Sequence, residues 1–82
     1  MNETESQQSY RRLDQARPGE RIRVQAIEGE DALSKRLSSF GFWPDTEVLV
    51  VRCAPFGDPI HVRLRGYDLA VRRAEAHRVV IC

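Results

Sequence analysis

The hydrophobic pattern changes period near residue 30. Over residues 21–27, Ile22, Val24 and Ala26 alternate with Arg21, Arg23 and Gln25. That is the period of a strand with one face covered. From Glu30 onward Leu33, Leu37 and Phe40 recur four and then three residues apart, which places them on one face of a helix. Glu30 and Asp31 put negative charge in its first turn, where the helix dipole favours it. Gly41 supplies the left-handed residue that ends such a helix, with Phe42 folding back on the last turn. The pattern predicts a helix over residues 30–40.

Further on, Val48, Leu49, Val50 and Val51 form an almost unbroken apolar run within a strand expected over residues 46–54. Such a run suits a strand covered on both faces or bent through a barrel wall. Residues 55–59 are rich in turn formers. Ile60, Val62 and Leu64 then alternate with His61, Arg63 and Arg65 in another strand. Residues 67–72 read as a fourth strand, residues 73–76 as a single helical turn, and Val79, Val80 and Ile81 as a fifth strand.

Residues 1–11 carry almost no apolar side chains and are expected to be a flexible tail before a domain spanning residues 12–82, with Leu13 as its first anchor. The expected architecture is mainly β. It is a small five-stranded SH3-like barrel with one helix between the first two strands and a single helical turn before the last. Closing the sheet leaves few edges, a good solution for so short a chain.

Composition narrows the function. With 82 residues the chain makes one domain, and about 60% of the unfolded surface is buried at this size, which leaves little room for an internal active site. A net charge of +1 gives no general electrostatic reason to bind nucleic acid or an anionic membrane. The basic residues are Arg apart from Lys35, and several fall at alternating strand positions, which would allow a locally basic face. No aromatic and basic motif accompanies it, and no nucleic-acid role is expected. No stretch approaches the ~20 apolar residues that cross a bilayer. The first residues are polar and acidic, unlike a signal peptide. A cytoplasmic domain without membrane insertion is expected, with Cys53 and Cys82 as free thiols.

Candidate chemistry is sparse. Ser34, Ser38 and Ser39 lie on the helix without a neighbouring histidine and read as solvated surface. Cys53 ends an apolar strand, and the glycines are scattered as turn residues without a phosphate loop. No enzyme is expected. His61 and His77, the latter two residues from Glu75 at the entry to the last strand, are the candidate metal ligands. No pair has the spacing of a closed site, so no cofactor is required. A divalent ion, Fe2+ or Zn2+, would be held weakly or between chains, giving a weak or metal-bridged homo-oligomer. A reader of proline peptides would need a groove lined with aromatic residues, and no adjacent pair falls where one is expected. Phe56, between two prolines, reads as a cap on one barrel end. Trp43, beside Pro44, is less bound by the core pattern, and tryptophan is enriched at interaction hot spots.

Four short motifs, in order and at matching spacing, carry a resemblance. Residues 37–48 (LSSFGFWPDTEV) resemble the helix stop and Pro-Gly-Thr-x-Val turn of the FeoA family, with Asp45 where that family has glycine. Residues 54–60 (APFGDPI) resemble its Gly-Asp-Pro loop. Residues 66–72 (GYDLAVR) and Glu75-Ala76 resemble its Gly-Tyr-x-Leu-Ala-Leu-Arg and Glu-Ala elements, with Val71 in place of leucine.

The resemblance implies an SH3-like accessory protein of bacterial ferrous-iron uptake. Its implied partner is the FeoB-type ferrous-iron permease, whose cytosolic G domain hydrolyses GTP. Trp43, Lys35, Ser39 and Phe56 are the expected partner-binding residues. Two other roles stay open: an SH3-like module of a metalloregulatory system, which the same barrel resemblance implies, and a metal-binding or metal-delivery protein, which would need a defined site.

Overall fold

The computed structural model describes residues 11–82. The expected tail lies outside the described residues except for Arg11. That residue pairs with Ile81 in a short first strand, β1 (Arg11–Arg12). A 3-10 turn at Leu13–Gln15 follows, and then β2 (Arg21–Ile27), α1 (Ala32–Phe40), β3 (Glu47–Cys53), β4 (Ile60–Leu64) and β5 (Tyr67–Val71). The short α2 (Arg73–Ala76) leads into β6 (Val79–Ile81).

The six strands run antiparallel in the order β1-β6-β2-β3-β4-β5, with β1 and β5 at opposite edges of an open sheet. The expected closed barrel of five strands is thus corrected to an open sheet of six. The reason lies in β2. Its first residues, Arg21 to Arg23, pair with β3, while Val24, Ala26 and Ile27 pair with β6. One strand therefore turns the sheet through a bend without closing it, and the pairing of Arg11 and Arg12 with β6 adds a further edge strand.

A bulge in β2 also corrects the face of Ala26. The register against β6 shifts between Val24 and Ala26, so Ala26 is exposed and Ile27 turns inward instead. An extra residue in one strand flips the alternation beyond it. Strict period-two reading cannot anticipate this.

The core gathers Leu13, Val24, Leu37, Phe42, Val48, Val50, Ile60, Val62, Leu64, Val71 and Ile81, all buried. Leu37 is the helix's main contribution. Leu33 and Phe40 pack half-buried at its margin. The β4–β5 turn passes through Arg65 (φ 51°) and Gly66 (φ 88°). Positive φ at both central residues matches the twist of a two-residue hairpin.

Candidate functional site

The helix is held tightly at both ends. Asp31 caps α1 by accepting the Ser34 amide at 3.2 Å, while its carboxylate takes both Arg78 Nη atoms at 3.0 and 2.7 Å. The Arg78 guanidinium, joined by the Ser34 amide, lowers the Asp31 pKa far below its ordinary range. Ser34 is buried and donates its hydroxyl to the Asp31 carbonyl at 2.8 Å, which corrects its expected place on the solvated face.

At the other end Gly41 (φ 108°) donates to the Ser38 carbonyl at 3.0 Å, and the Phe42 amide donates to Leu37 at 3.4 Å. This is the paired closure of a Schellman motif. It drives Phe42 into the core and directs Trp43 outward.

Trp43 is 45% exposed but fixed. Its Nε1 donates to the Ser38 carbonyl at 2.8 Å, and the Arg65 guanidinium lies over its ring, 4.2 Å from the centroid. Tyr67, 42% exposed, donates its hydroxyl to the Phe40 carbonyl. Tyr67 thus satisfies a carbonyl that the helix end would otherwise leave open, and Trp43 adds a second bond to the Ser38 carbonyl. Beside them runs a groove of about 370 Å³, floored by Ile27, Phe42, Trp43 and Pro44 and edged by Lys35, Ser38 and Glu30. Its lining is mostly apolar, with charge confined to the rim.

Of the expected partner-binding residues, Trp43 and Lys35 meet at this groove. Ser39 is exposed nearby and spends its hydroxyl on the Arg36 carbonyl at 2.6 Å. Phe56 is elsewhere. It stands at the tip of the β3–β4 loop, 99% exposed, and therefore caps nothing. The expectation of a barrel-end cap is corrected. Arg73 holds that loop from below, donating Nε to Gly57 O at 2.7 Å, its amide to Asp58 Oδ1 at 3.0 Å and Nη1 to Asp14 O at 2.7 Å.

Arg65 and Ile27 went unread as site residues. The Arg65-Gly66 turn was the available signal for the first, since a two-residue hairpin returns the chain beside the helix end. Ile27 was hidden by the bulge.

The candidate metal ligands do not converge. His61 is half-buried in β4 between Arg52 and Ala70 and shares a small hollow with Arg52 and Asp68. Glu75 lies on α2, in the helical turn expected there, and His77 caps its C-terminal end just before the last strand. Glu75 accepts the Arg72 amide at 3.0 Å and lies 3.4 Å from Arg36, so its carboxylate is already engaged. His77 Nδ1 instead lies 3.2 Å from Asp14 Oδ2. Among the described residues no three His, Cys, Asp or Glu side chains come together as a metal site, so this set does not fit a resident ion. Among them, too, no helix is long and apolar enough to cross a membrane.

With this geometry in hand, comparison with known proteins is specific. The FeoA domain matches residues 11–81. The chain is 30% identical over 70 residues to an Fe(2+) transport protein A/Fe(2+) transporter FeoB fusion protein of Porphyromonas gingivalis. That match takes in 85% of this chain but only 8% of the fusion protein's length. A FeoA-like protein of Clostridium acetobutylicum superposes with a TM-score of 0.82 at 31% identity, over 87% of this chain and 83% of that one. The zinc-complexed FeoA of Stenotrophomonas maltophilia, described as a prokaryotic SH3 domain protein, superposes with a TM-score of 0.78 at 29% identity. The overlap there is 88% of this chain and 89% of that one.

Proposed function

Because the chain belongs to the FeoA family, we propose that it is a non-catalytic accessory domain of bacterial ferrous-iron uptake that docks, in the cytoplasm, on an FeoB-type permease. The observation that carries this reading is the Porphyromonas gingivalis fusion, in which FeoA and FeoB are one polypeptide. A covalent link holds two domains at high local concentration, so the contact it supports need only be modest.

The contact surface in this reading is the groove beside α1, with Trp43 as anchor, Lys35 and Ser39 as rim, and Phe56 as a second, separate anchor. Trp43 is already immobilised by Ser38 and Arg65, so it loses little entropy when a partner covers it. Docking changes the permease's behaviour only if the domain binds one state of its cytosolic G domain more tightly than another.

The test is retention of the solubilised permease on the immobilised chain. Wild type retains it, and the Ser38→Arg chain, whose groove is filled by a long charged side chain, releases it. Equal retention by both would move docking away from the groove.

The zinc-bound relative favours a second reading, in which a divalent ion bridges copies of the domain through His77 or His61. Here a bridging ion would draw on Asp14 with His77 from one chain and complete its shell from another. Calorimetry with Zn2+ on dilute protein should give no sub-micromolar site, because two protein ligands are too few for a closed tetrahedral shell.

A further inference from the structure

Among the described residues Phe56 has no partner to explain it. A fully solvated aromatic ring stands at the tip of a loop pinned by two hydrogen bonds from Arg73, which is itself anchored on the Asp14 carbonyl. The groove floored by Ile27, Phe42, Trp43 and Pro44 is its converse, an apolar concavity. The two lie at opposite ends of β3, since Pro44 precedes that strand and Phe56 follows it. Phe56 therefore does not reach the groove of its own molecule.

Size and charge match across copies. A cavity of roughly 150 Å³ already takes a benzene ring, and the groove offers about 370 Å³, enough for the Phe56 ring with a flanking proline. The groove's rim carries one charge of each sign, Glu30 and Lys35. The loop does as well. Asp58 lies two residues beyond Phe56 and accepts the amide of Arg73, next to Arg72. Both Asp58 and Arg72 are exposed.

We propose that Phe56 of one copy inserts into the Trp43 groove of another, with Asp58 facing Lys35 and Arg72 facing Glu30. Knob and socket lie on different surfaces, so the contact is head-to-tail and each added copy leaves one of each free. The result is a weak, open series of oligomers, without a closed dimer. Pinning by Arg73 lowers the entropy lost when the ring is buried. The inference concerns the chain alone and stands whether or not the same groove also receives the permease.

Sedimentation of the metal-free chain, with chelator present, over a concentration series tests it. At about 1 mM protein the weight-average mass should be at least about 1.5-fold that of the monomer, the behaviour of a contact with a dissociation constant in the low millimolar range. Phe56→Ala and Ser38→Arg should each stay monomeric. Mixed together they should associate only as far as a heterodimer, because one keeps the socket and the other the knob. Glu30→Lys should weaken association, and Arg72→Glu in the same chain should restore it. These exposed positions leave the fold intact, which a melting curve on each variant checks. A wild-type chain that remains monomeric would overturn the proposal. So would association that survives both Phe56→Ala and Ser38→Arg, or mixed variants that fail to pair.

Discussion

The guanidinium of Arg65 lies 4.2 Å from the centroid of the Trp43 ring. An exposed contact of this kind contributes about 0.5–1 kcal/mol. Arg65→Ala should therefore cost about that much stability while leaving the ring free to move. Trp43 is the sole tryptophan, so its fluorescence reports this directly. Quenching by acrylamide should increase in Arg65→Ala, whereas an unchanged quenching constant would mean that the Ser38 carbonyl alone holds the indole.

Gly41 serves both the helix end and the path of Arg65. Its φ of 108° strains any L side chain, and a Cβ there would stand 2.8 Å from Arg65 Cδ. Gly41→Ala should destabilise by about 1–2 kcal/mol, the cost of left-handed backbone in a residue with a side chain. Adding Arg65→Ala should relieve the clash but not the strain. Denaturation of the single and double variants measures the two parts as a cycle.

Leu37 is fully buried whereas Leu33 is not. Leu37→Ala should cost about 2–5 kcal/mol by urea denaturation, the range for a cavity left in a packed core. Leu33→Ala should cost clearly less. Equal losses would mean that the helix is rotated from the face described above.

Acid should loosen the fold through two ion pairs. The Arg11 guanidinium, helped by the Arg17 amide, lowers the Glu20 pKa from 4.5 to about 2. Asp31 is lowered in the same sense by Arg78. A carboxyl depressed by folding stabilises fully above its unfolded pKa, and that contribution is lost as pH falls towards the folded value. Stability should therefore decline from about pH 4.5 down to about 2. Glu20→Gln should show a shallower decline by circular dichroism. Both pairs are partly exposed, so added salt should flatten the profile further.

Much of this was legible in the sequence, for local reasons. The α1 face, its stop at Gly41 and the return of Phe42 into the core depend on contacts within a few residues, and spacing reveals them. The bend in β2 and the bulge that exposes Ala26 depend on which strand pairs with which, information that alternation along one strand does not contain. Asp45 was readable as a left-handed turn residue, and its φ is 73°. For Phe56, a large apolar side chain between prolines suggests a cap on the barrel end. Only the three-dimensional course of the loop shows that nothing covers it. The groove combines Ile27 from β2 with Lys35 from α1 and Trp43 from the segment after it, so no single motif contains it.

The central claim is that the Trp43 groove is the permease-docking surface. Titrating the cytosolic part of an FeoB-type permease with wild type and with Trp43→Ala, each shown folded by circular dichroism at the working temperature, tests it most directly. The account predicts that truncation weakens binding by at least ~2 kcal/mol, about 30-fold. Affinity unchanged within about twofold, a difference of less than ~0.5 kcal/mol, would contradict it.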